Sequence, residues 1–122
     1  MNEPGRSAAI GRWGETAAGE YLLGIGHRIL QKNYKRHTGE VDIISMDGDC
    51  IVCTEVKTWF GAQQDDLSRA LSPSKQRRVA RTAQMFLLEN GQYRESPVRF
   101  DVVCIGPKTG LSHYTDAFQG AE

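Results

Sequence analysis

The sequence predicts an α/β domain in which a mixed β-sheet is flanked by helices. Two runs with helical spacing of apolar residues are interspersed with runs rich in β-forming residues. Turn signals separate the runs and give the order α-β-β-β-α-β-β. The chain has 122 residues, the length of one ordinary domain. We therefore expect residues 1–122 to form a single domain.

The composition is typical of a soluble globular protein and excludes several classes. Hydrophobic residues make up 39% of the chain and charged residues 25%. Lys and Arg number 15, Asp and Glu also number 15, and this balance excludes a histone-like polycation. No apolar run approaches the roughly 20 residues that cross a bilayer, and the N-terminus lacks the apolar segment of a secretory signal. We expect a cytoplasmic protein with no membrane partner.

The first helix is predicted over residues 7–23, because apolar residues recur there at helical spacing. This stripe comprises Ile10, Trp13, Ala17 and Tyr21. Two glycines after residue 23 end the helix, and a strand is predicted over residues 27–34. A basic loop with Lys35 and Arg36 follows.

A β-hairpin is the clearest local signal in the chain. The runs VDIISM and CIVCTEVKT flank the dipeptide Asp47-Gly48, and Asp-Gly between such runs is typical of a two-residue hairpin turn. With these two residues at the centre of the turn, Met46 is expected opposite Asp49.

The C-terminal half is predicted to contain the second helix and two more strands. Residues 59–71 are polar, and we predict a loop with a short helical turn there. Ser72-Pro73 then provides an N-cap followed by proline at the first helical position, and Asn90 ends the helix. An interior strand over residues 98–105 and an edge strand over residues 111–118 complete the sheet.

Acidic residues within the hairpin strands need an explanation, because burying an unpaired carboxylate is costly. The predicted register places Asp42 opposite Cys53 and Glu40 opposite Glu55. Side chains alternate along a strand, so these acids and Lys57 share one face. Asp42 and Glu55 are then diagonal neighbours, with Cα atoms about 7–8 Å apart.

Two carboxylates on one face can hold a divalent cation, whose charge relieves their mutual repulsion. Lys57 beside them can orient a water or stabilise charge on a phosphate, which suits metal-assisted phosphodiester hydrolysis. The alternative is an exposed ladder of cross-strand charges, and spacing alone favours neither. For Glu15 in the first helix, helical phase alone favours a solvated carboxylate.

A basic face on the second helix is a candidate surface for nucleic-acid phosphates. No acid occurs in this helix before Glu89, and Lys35 and Arg36 in the loop before Asp42 would add to the basic face. The alternative is a solvated helix face. The basic residues of the helix are Lys75, Arg77, Arg78 and Arg81.

Several sequence blocks resemble the YraN-like family of uncharacterised bacterial proteins. The blocks are GETAAGEYL, ILQKNY, GEVDIIS, DGD, TEVKT and RFDVV, in this order, and they extend from about Trp13 to Ile105. That family is similar to the PD-(D/E)xK nuclease superfamily, which includes Holliday-junction resolvases. The resemblance implies a restriction-endonuclease-like α-β-β-β-α-β core.

The resemblance also implies roles for individual residues. Asp42 resembles the metal-binding aspartate of the superfamily, and Glu55-Val56-Lys57 resembles its acid-x-lysine motif. Glu15 resembles the helix acid of the resolvase branch, and the Val56 carbonyl corresponds to a further metal ligand. The implied catalytic residues are thus Asp42, Glu55 and Lys57, with Mg²⁺ or Mn²⁺ as cofactor.

The implied function is hydrolysis of phosphodiester bonds in DNA, including branched DNA, by an endonuclease. Resolvase-type enzymes act as homodimers, because a four-way junction has two symmetric strands to cut. The alternative function is a non-catalytic nucleic-acid-binding or scaffolding module that retains the nuclease fold.

Overall fold

The computed structural model describes residues 4–58 and 71–119, and in this part of the chain five strands form one sheet. The mixed α/β class predicted from the sequence is confirmed. Most of the predicted loop over residues 59–71 lies outside the described residues. In chain order the elements are α1 (Pro4–Gly24), β1 (Arg28–Arg36), β2 (Gly39–Asp47), β3 (Cys50–Thr58), α2 (Pro73–Glu89), a 3₁₀ turn (Gly91–Tyr93), β4 (Val98–Gly106) and β5 (Gly110–Phe118).

The sheet is mixed because one of its strand pairs is parallel. The strand order is β1-β2-β3-β4-β5, with β3 and β4 parallel and the other neighbours antiparallel. Parallel neighbours require a crossover connection, and α2 lies within it. The predictions of β4 as an interior strand and β5 as an edge strand are confirmed.

Helix α1 packs on one face of the sheet through small residues. The prediction of an apolar stripe is wrong at Trp13, which is 43% exposed, whereas Tyr21 of the same stripe packs against the fully buried Ala18 and Leu22. A Cβ atom at Gly14 would overlap the methyl group of Thr58, so only glycine permits the observed approach of helix and strand. Close contact through small residues, rather than apolar bulk, therefore determines which side of α1 faces the sheet.

Helix α2 packs on the opposite face of the sheet. The Ser72 hydroxyl accepts a hydrogen bond from the Lys75 N–H at 3.2 Å, which confirms the predicted N-cap. Val79, Ala83 and Phe86 are buried in the larger of two apolar clusters. No helix among residues 4–58 and 71–119 has the length and apolar character needed to cross a membrane.

The predicted basic loop after β1 is wrong, because the strand continues through it. Lys35 pairs with Glu40 and Arg36 pairs with Gly39 in the β1–β2 ladder. The connection to β2 is consequently very short. Gly39 has a φ of 147° and lies close to Arg78 of α2, so this turn contacts the helix directly.

Candidate functional site

The β2–β3 register differs by two residues from the predicted one. Asp47 pairs with Cys50 and Met46 with Ile51, so Gly48 and Asp49 form the turn. Gly48 has a φ of 64°, a conformation that glycine adopts without strain. A shift of two residues preserves the face of each side chain in a regular ladder, and Asp42 and Glu55 line one pocket on the α2 side of the sheet.

Asp42 lies where the regular β2–β3 ladder ends. The last pair of the ladder before it is Ile43–Thr54, so in register Asp42 lies nearest to Glu55 rather than to Cys53. The Val56 N–H donates a hydrogen bond to Asp42 Oδ2 at 2.8 Å. The two acids are therefore closer partners than the predicted diagonal arrangement would make them.

Both acids open into a pocket of about 200 Å³ between the sheet and α2. Its walls combine acids from the two hairpin strands with cations from the first turns of the helix. The cap at Ser72 positions those turns, since it fixes where α2 begins. The residues that line the pocket are Glu40, Asp42, Glu55, Lys75, Arg78 and Val79.

The electrostatic environment of Asp42 disfavours its charged form. Burial is the main cause, followed by the negative charge of Glu55, and together they raise the pKa of Asp42 to about 8. The charges of Glu15 and Glu40 act in the same direction, whereas the hydrogen bond from Val56 N–H lowers the pKa. The protonated form of Asp42 is therefore favoured at neutral pH, because no cation compensates its charge as burial and the neighbouring acids require.

Glu55 differs from Asp42 because it has a cationic partner. Lys75 Nζ lies 2.8 Å from Glu55 Oε2. Lys75 was predicted as a phosphate ligand, and the structure places it against a predicted metal ligand instead.

Glu15 contributes charge to this site from the other side of the sheet. It follows Gly14, whose contact with Thr58 brings α1 close to the end of β3. Its charge is among the smaller causes that raise the pKa of Asp42, although Glu15 does not line the pocket. The role of Glu15 as a metal ligand remains a prediction.

The oxygen donors suit a hard divalent cation, although they do not form a complete ligand shell. Within residues 4–58 and 71–119, no three His, Cys, Asp or Glu side chains are close enough together to form a metal-binding group. Mg²⁺ is commonly held by one or two carboxylates with several waters. Asp42 and Glu55, which line one pocket, fit that mode of binding.

The remaining predicted residues of the acid-x-lysine motif lie beside this pair. Val56 contacts Asp42 through its N–H, and its carbonyl remains only a predicted metal ligand. Lys57 is half-buried and, by strand alternation, shares the face of Glu55. Within the described part of the chain, Lys57 forms no ion pair, so its role also remains a prediction.

The predicted phosphate ligands are not equivalent. Arg77 and Arg81 are exposed on α2, and Lys35 is exposed opposite Glu40. Arg36 is different, because its Nε and Nη2 donate to the two carboxylate oxygens of Glu89 at 2.9 and 2.6 Å. Arg36 is therefore occupied by an ion pair at the end of α2.

A second polar cluster, which the sequence did not reveal, lies on the α1 face. Asp101 is fully buried, and both its oxygens accept hydrogen bonds from Arg99 at 2.9 Å. His113 Nε2 lies 2.8 Å from Asp101, and its Nδ1 lies 2.9 Å from the Tyr21 hydroxyl. His113 belongs to no short sequence motif, and the sequence signal for this cluster is the acid within the apolar run VRFDVV.

Comparison with known proteins identifies relatives along most of the chain. The profile of the uncharacterised protein family UPF0102 matches residues 14–105. A UPF0102 protein of Symbiobacterium thermophilum is 41% identical over 83% of this chain and 85% of its own length. A UPF0102 protein of Rhodococcus jostii is 40% identical over 90% of this chain and 96% of its own length. The matched region contains both hairpin strands and α2, and the chain belongs to the UPF0102 family, whose members are the YraN-like proteins.

Proposed function

We propose that this protein is a divalent-metal-dependent nuclease with a restriction-endonuclease-like core. The observation that carries the proposal is the pairing of Asp42 and Glu55 in one pocket, where burial and neighbouring acids raise the pKa of Asp42 to about 8. Strongly perturbed acids in a cleft are typical of functional sites. The element order α-β-β-β-α-β also agrees with the core that the sequence resemblance implies.

The metal site would consist of Asp42 and Glu55, with Glu15 and the Val56 carbonyl as further ligands. Mg²⁺ or Mn²⁺, when bound, supplies Lewis-acid chemistry and positive charge for hydrolysis of a phosphodiester. The chain's own contribution is to hold the two carboxylates together through the hairpin and the Val56 N–H. Lys57, on the same face as Glu55, would position the attacking water.

The nucleic acid would lie across the mouth of the pocket, against α2. Lys75 and Arg78 line the pocket, and Arg77, Arg81 and Lys35 extend the positive surface around it. Arg36 contributes less, because Glu89 holds its guanidinium. We propose DNA as the substrate, including branched DNA, cut in the cytoplasm by a homodimer whose two sites act on two strands.

Cleavage of a fluorescent four-way DNA junction, a linear duplex and an RNA hairpin tests this proposal. We expect product with Mg²⁺ or Mn²⁺ and none with EDTA. Asp42→Asn should reduce the cleavage rate by about 100-fold or more, since it removes a metal ligand and its charge. The matched control is Asp49→Asn, which removes the same charge from the exposed hairpin turn and should retain full activity. Equal cleavage by Asp42→Asn and the native protein would attribute the activity to another site or to a contaminant.

The ion pair between Lys75 and Glu55 favours a second candidate, a non-catalytic nucleic-acid-binding module. A carboxylate that already has a cationic partner at 2.8 Å does not require a metal for charge compensation. The module would bind DNA with a steep salt dependence through α2 but would leave it intact. Binding without cleavage under every metal condition would support this candidate over the nuclease.

A further inference from the structure

Lys75 occupies an unusual place for a surface lysine, because its two ends are held by different elements. Its backbone N–H donates to the cap residue Ser72 at 3.2 Å, and its ammonium reaches across to Glu55 of β3 at 2.8 Å. The side chain of Glu55 is only 13% exposed, whereas that of Lys75 is 39% exposed. The acid is therefore fixed in the pocket wall, and the lysine has solvent into which it can move.

Acids outnumber basic side chains among the residues that line the pocket. Glu40, Asp42 and Glu55 provide three acids, against two cations from α2. Arg78, the second cation, donates to the Ser74 hydroxyl at 2.6 Å on its own helix. Among the described residues, Lys75 alone forms an ion pair with a pocket acid.

A divalent cation on Glu55 would compete with the Lys75 ammonium for the negative charge of this carboxylate. Two cations on one carboxylate repel each other, and the repulsion is stronger where water is largely excluded. A metal that binds Asp42 and Glu55 therefore weakens the contact of Glu55 with the ammonium. The displaced group remains tethered to the first turn of α2, at the rim of the same pocket.

We propose that Lys75 is the resident counter-ion of the pocket, which a divalent cation displaces from Glu55 and which then binds a phosphate of the nucleic acid. The inference rests on the proposed function, because it assumes that Asp42 and Glu55 bind the metal. It adds a link between the two ligands: metal binding makes Lys75 available, and a phosphate held by Lys75 opposes its return to Glu55. Metal and nucleic acid should therefore strengthen each other's binding.

Calorimetric titration with MnCl₂ tests the displacement without any measurement of activity. Lys75→Met removes the competing charge and retains an unbranched apolar stem, so Mn²⁺ affinity should rise by about fivefold to tenfold. The matched control is Arg77→Met, which removes one positive charge from the same turn of α2 but outside the pocket. Its Mn²⁺ affinity should stay within about twofold of the native value, because an exposed charge is screened by solvent.

A measurement on the native protein keeps the inference testable if Lys75→Met does not fold. The Cε–Hε signal of Lys75 in an NMR spectrum should move when Mg²⁺ saturates the protein. The corresponding signal of Lys35, opposite Glu40 in the β1–β2 ladder, should move much less. In Asp42→Asn, the same Mg²⁺ concentration should leave the Lys75 signal unchanged.

The outcomes separate failure of the inference from failure of the proposed function. If the native protein binds neither Mn²⁺ nor Mg²⁺, the metal site and the inference both fail. If the native protein binds metal and Asp42→Asn does not, the site stands. Equal Mn²⁺ affinities of Lys75→Met and Arg77→Met, or a Lys75 NMR signal that does not shift when Mg²⁺ binds, would then contradict the displacement of Lys75. The proposed metal site would stand.

Discussion

Asp42 and Asp101 are both acids within strands, yet the fold treats them in opposite ways. Asp101 lies on the α1 face with Arg99, His113 and the Asp116 N–H around its carboxylate. Asp42 lies on the α2 face. Among the described residues, its carboxylate accepts one hydrogen bond, from the Val56 N–H. Burial would raise the pKa of both acids, but the donors around Asp101 outweigh it and lower the pKa of that carboxyl.

The difference shows that burial alone does not identify a functional acid. Asp101 is the more deeply buried of the two, but its donors stabilise its charged form. Irregular pairing in β5 helps, because it lets the Asp116 N–H, with a φ of 52°, point at Asp101 at 3.0 Å. A satisfied acid stabilises the fold, whereas an acid without enough donors lowers stability and is available to a ligand.

The largest expected effect is the loss of stability in Asp101→Asn. The variant leaves Arg99, with a side chain only 23% exposed, facing an amide instead of a carboxylate. Breaking a buried ion pair costs about 3–5 kcal/mol, and we expect the lower end because Arg99 retains some solvent and also contacts Asp47. Urea unfolding at pH 7 measures this loss.

The pH dependence of that loss follows from the lowered pKa of Asp101. The stabilising contribution of the carboxylate is present above the unfolded pKa of about 3.9 and disappears as the pH falls toward the lower native pKa. The native protein and Asp101→Asn should therefore converge in stability as the pH falls below the unfolded pKa and through the lowered native pKa of Asp101. Asp49→Asn on the exposed turn is the control and should change stability by less than about 0.5 kcal/mol. A loss below about 1 kcal/mol for Asp101→Asn would show that its donors do not form a cooperative network.

A smaller effect of opposite sign is expected for Asp42→Asn in the absence of metal. The native carboxyl has a pKa of about 8, against about 3.9 in the unfolded chain, so the folded state binds more protons between these values. Stability therefore falls as the pH rises through this window. Asparagine retains an acceptor for the Val56 N–H but has no charge, and we expect about 2 kcal/mol of added stability at pH 8. This gain in the free energy of unfolding is smaller than the full pKa shift of Asp42 implies, because Asp42 is only partly buried.

Thermal unfolding between pH 4 and 8 distinguishes removal of the Asp42 charge from improved packing as the cause of the added stability. The advantage of Asp42→Asn should shrink as the pH falls from 8 and be nearly gone at pH 4, where the folded-state carboxyl is protonated and the unfolded-state carboxyl is about half protonated. A gain that is equal at every pH would contradict a charge effect. Added Mg²⁺ should reverse the order at pH 8, because only the native site gains a bound cation.

The sequence predicted the acidic pair more reliably than it predicted the surroundings. The common face of Asp42 and Glu55 depends only on strand alternation, so it survived an error of two residues in the turn. The partners of Asp101 could not be predicted in the same way. His113 and Tyr21 come from distant parts of the chain, and only the packing of α1 and β5 brings them to the same carboxylate.

The contact of Glu55 with Lys75, on the other face of the sheet, also could not be predicted from the sequence. The N-cap of α2 was readable from Ser72-Pro73, but the sequence does not say over which strand the first turn of the helix lies. The predicted apolar stripe of α1 failed for a related reason. Trp13 has the larger apolar surface, yet the contact of Gly14 with Thr58 sets the orientation of the helix.

The smallest expected effect concerns Tyr21, which supports Asp101 only through His113. With His113 Nε2–H donating to Asp101, Nδ1 of the neutral ring accepts from the Tyr21 hydroxyl at 2.9 Å. Tyr21→Phe removes that one hydrogen bond and should cost about 0.5–1.5 kcal/mol in urea unfolding. Tyr114→Phe, on an exposed tyrosine, is the matched control and should change stability by less than about 0.5 kcal/mol. If Tyr21→Phe reduced stability as much as Asp101→Asn, the orientation of His113 would be as important as the Arg99 ion pair. The contrast between Asp42 and Asp101 would then depend on the packing of α1 rather than on the neighbours of Asp101 in β4.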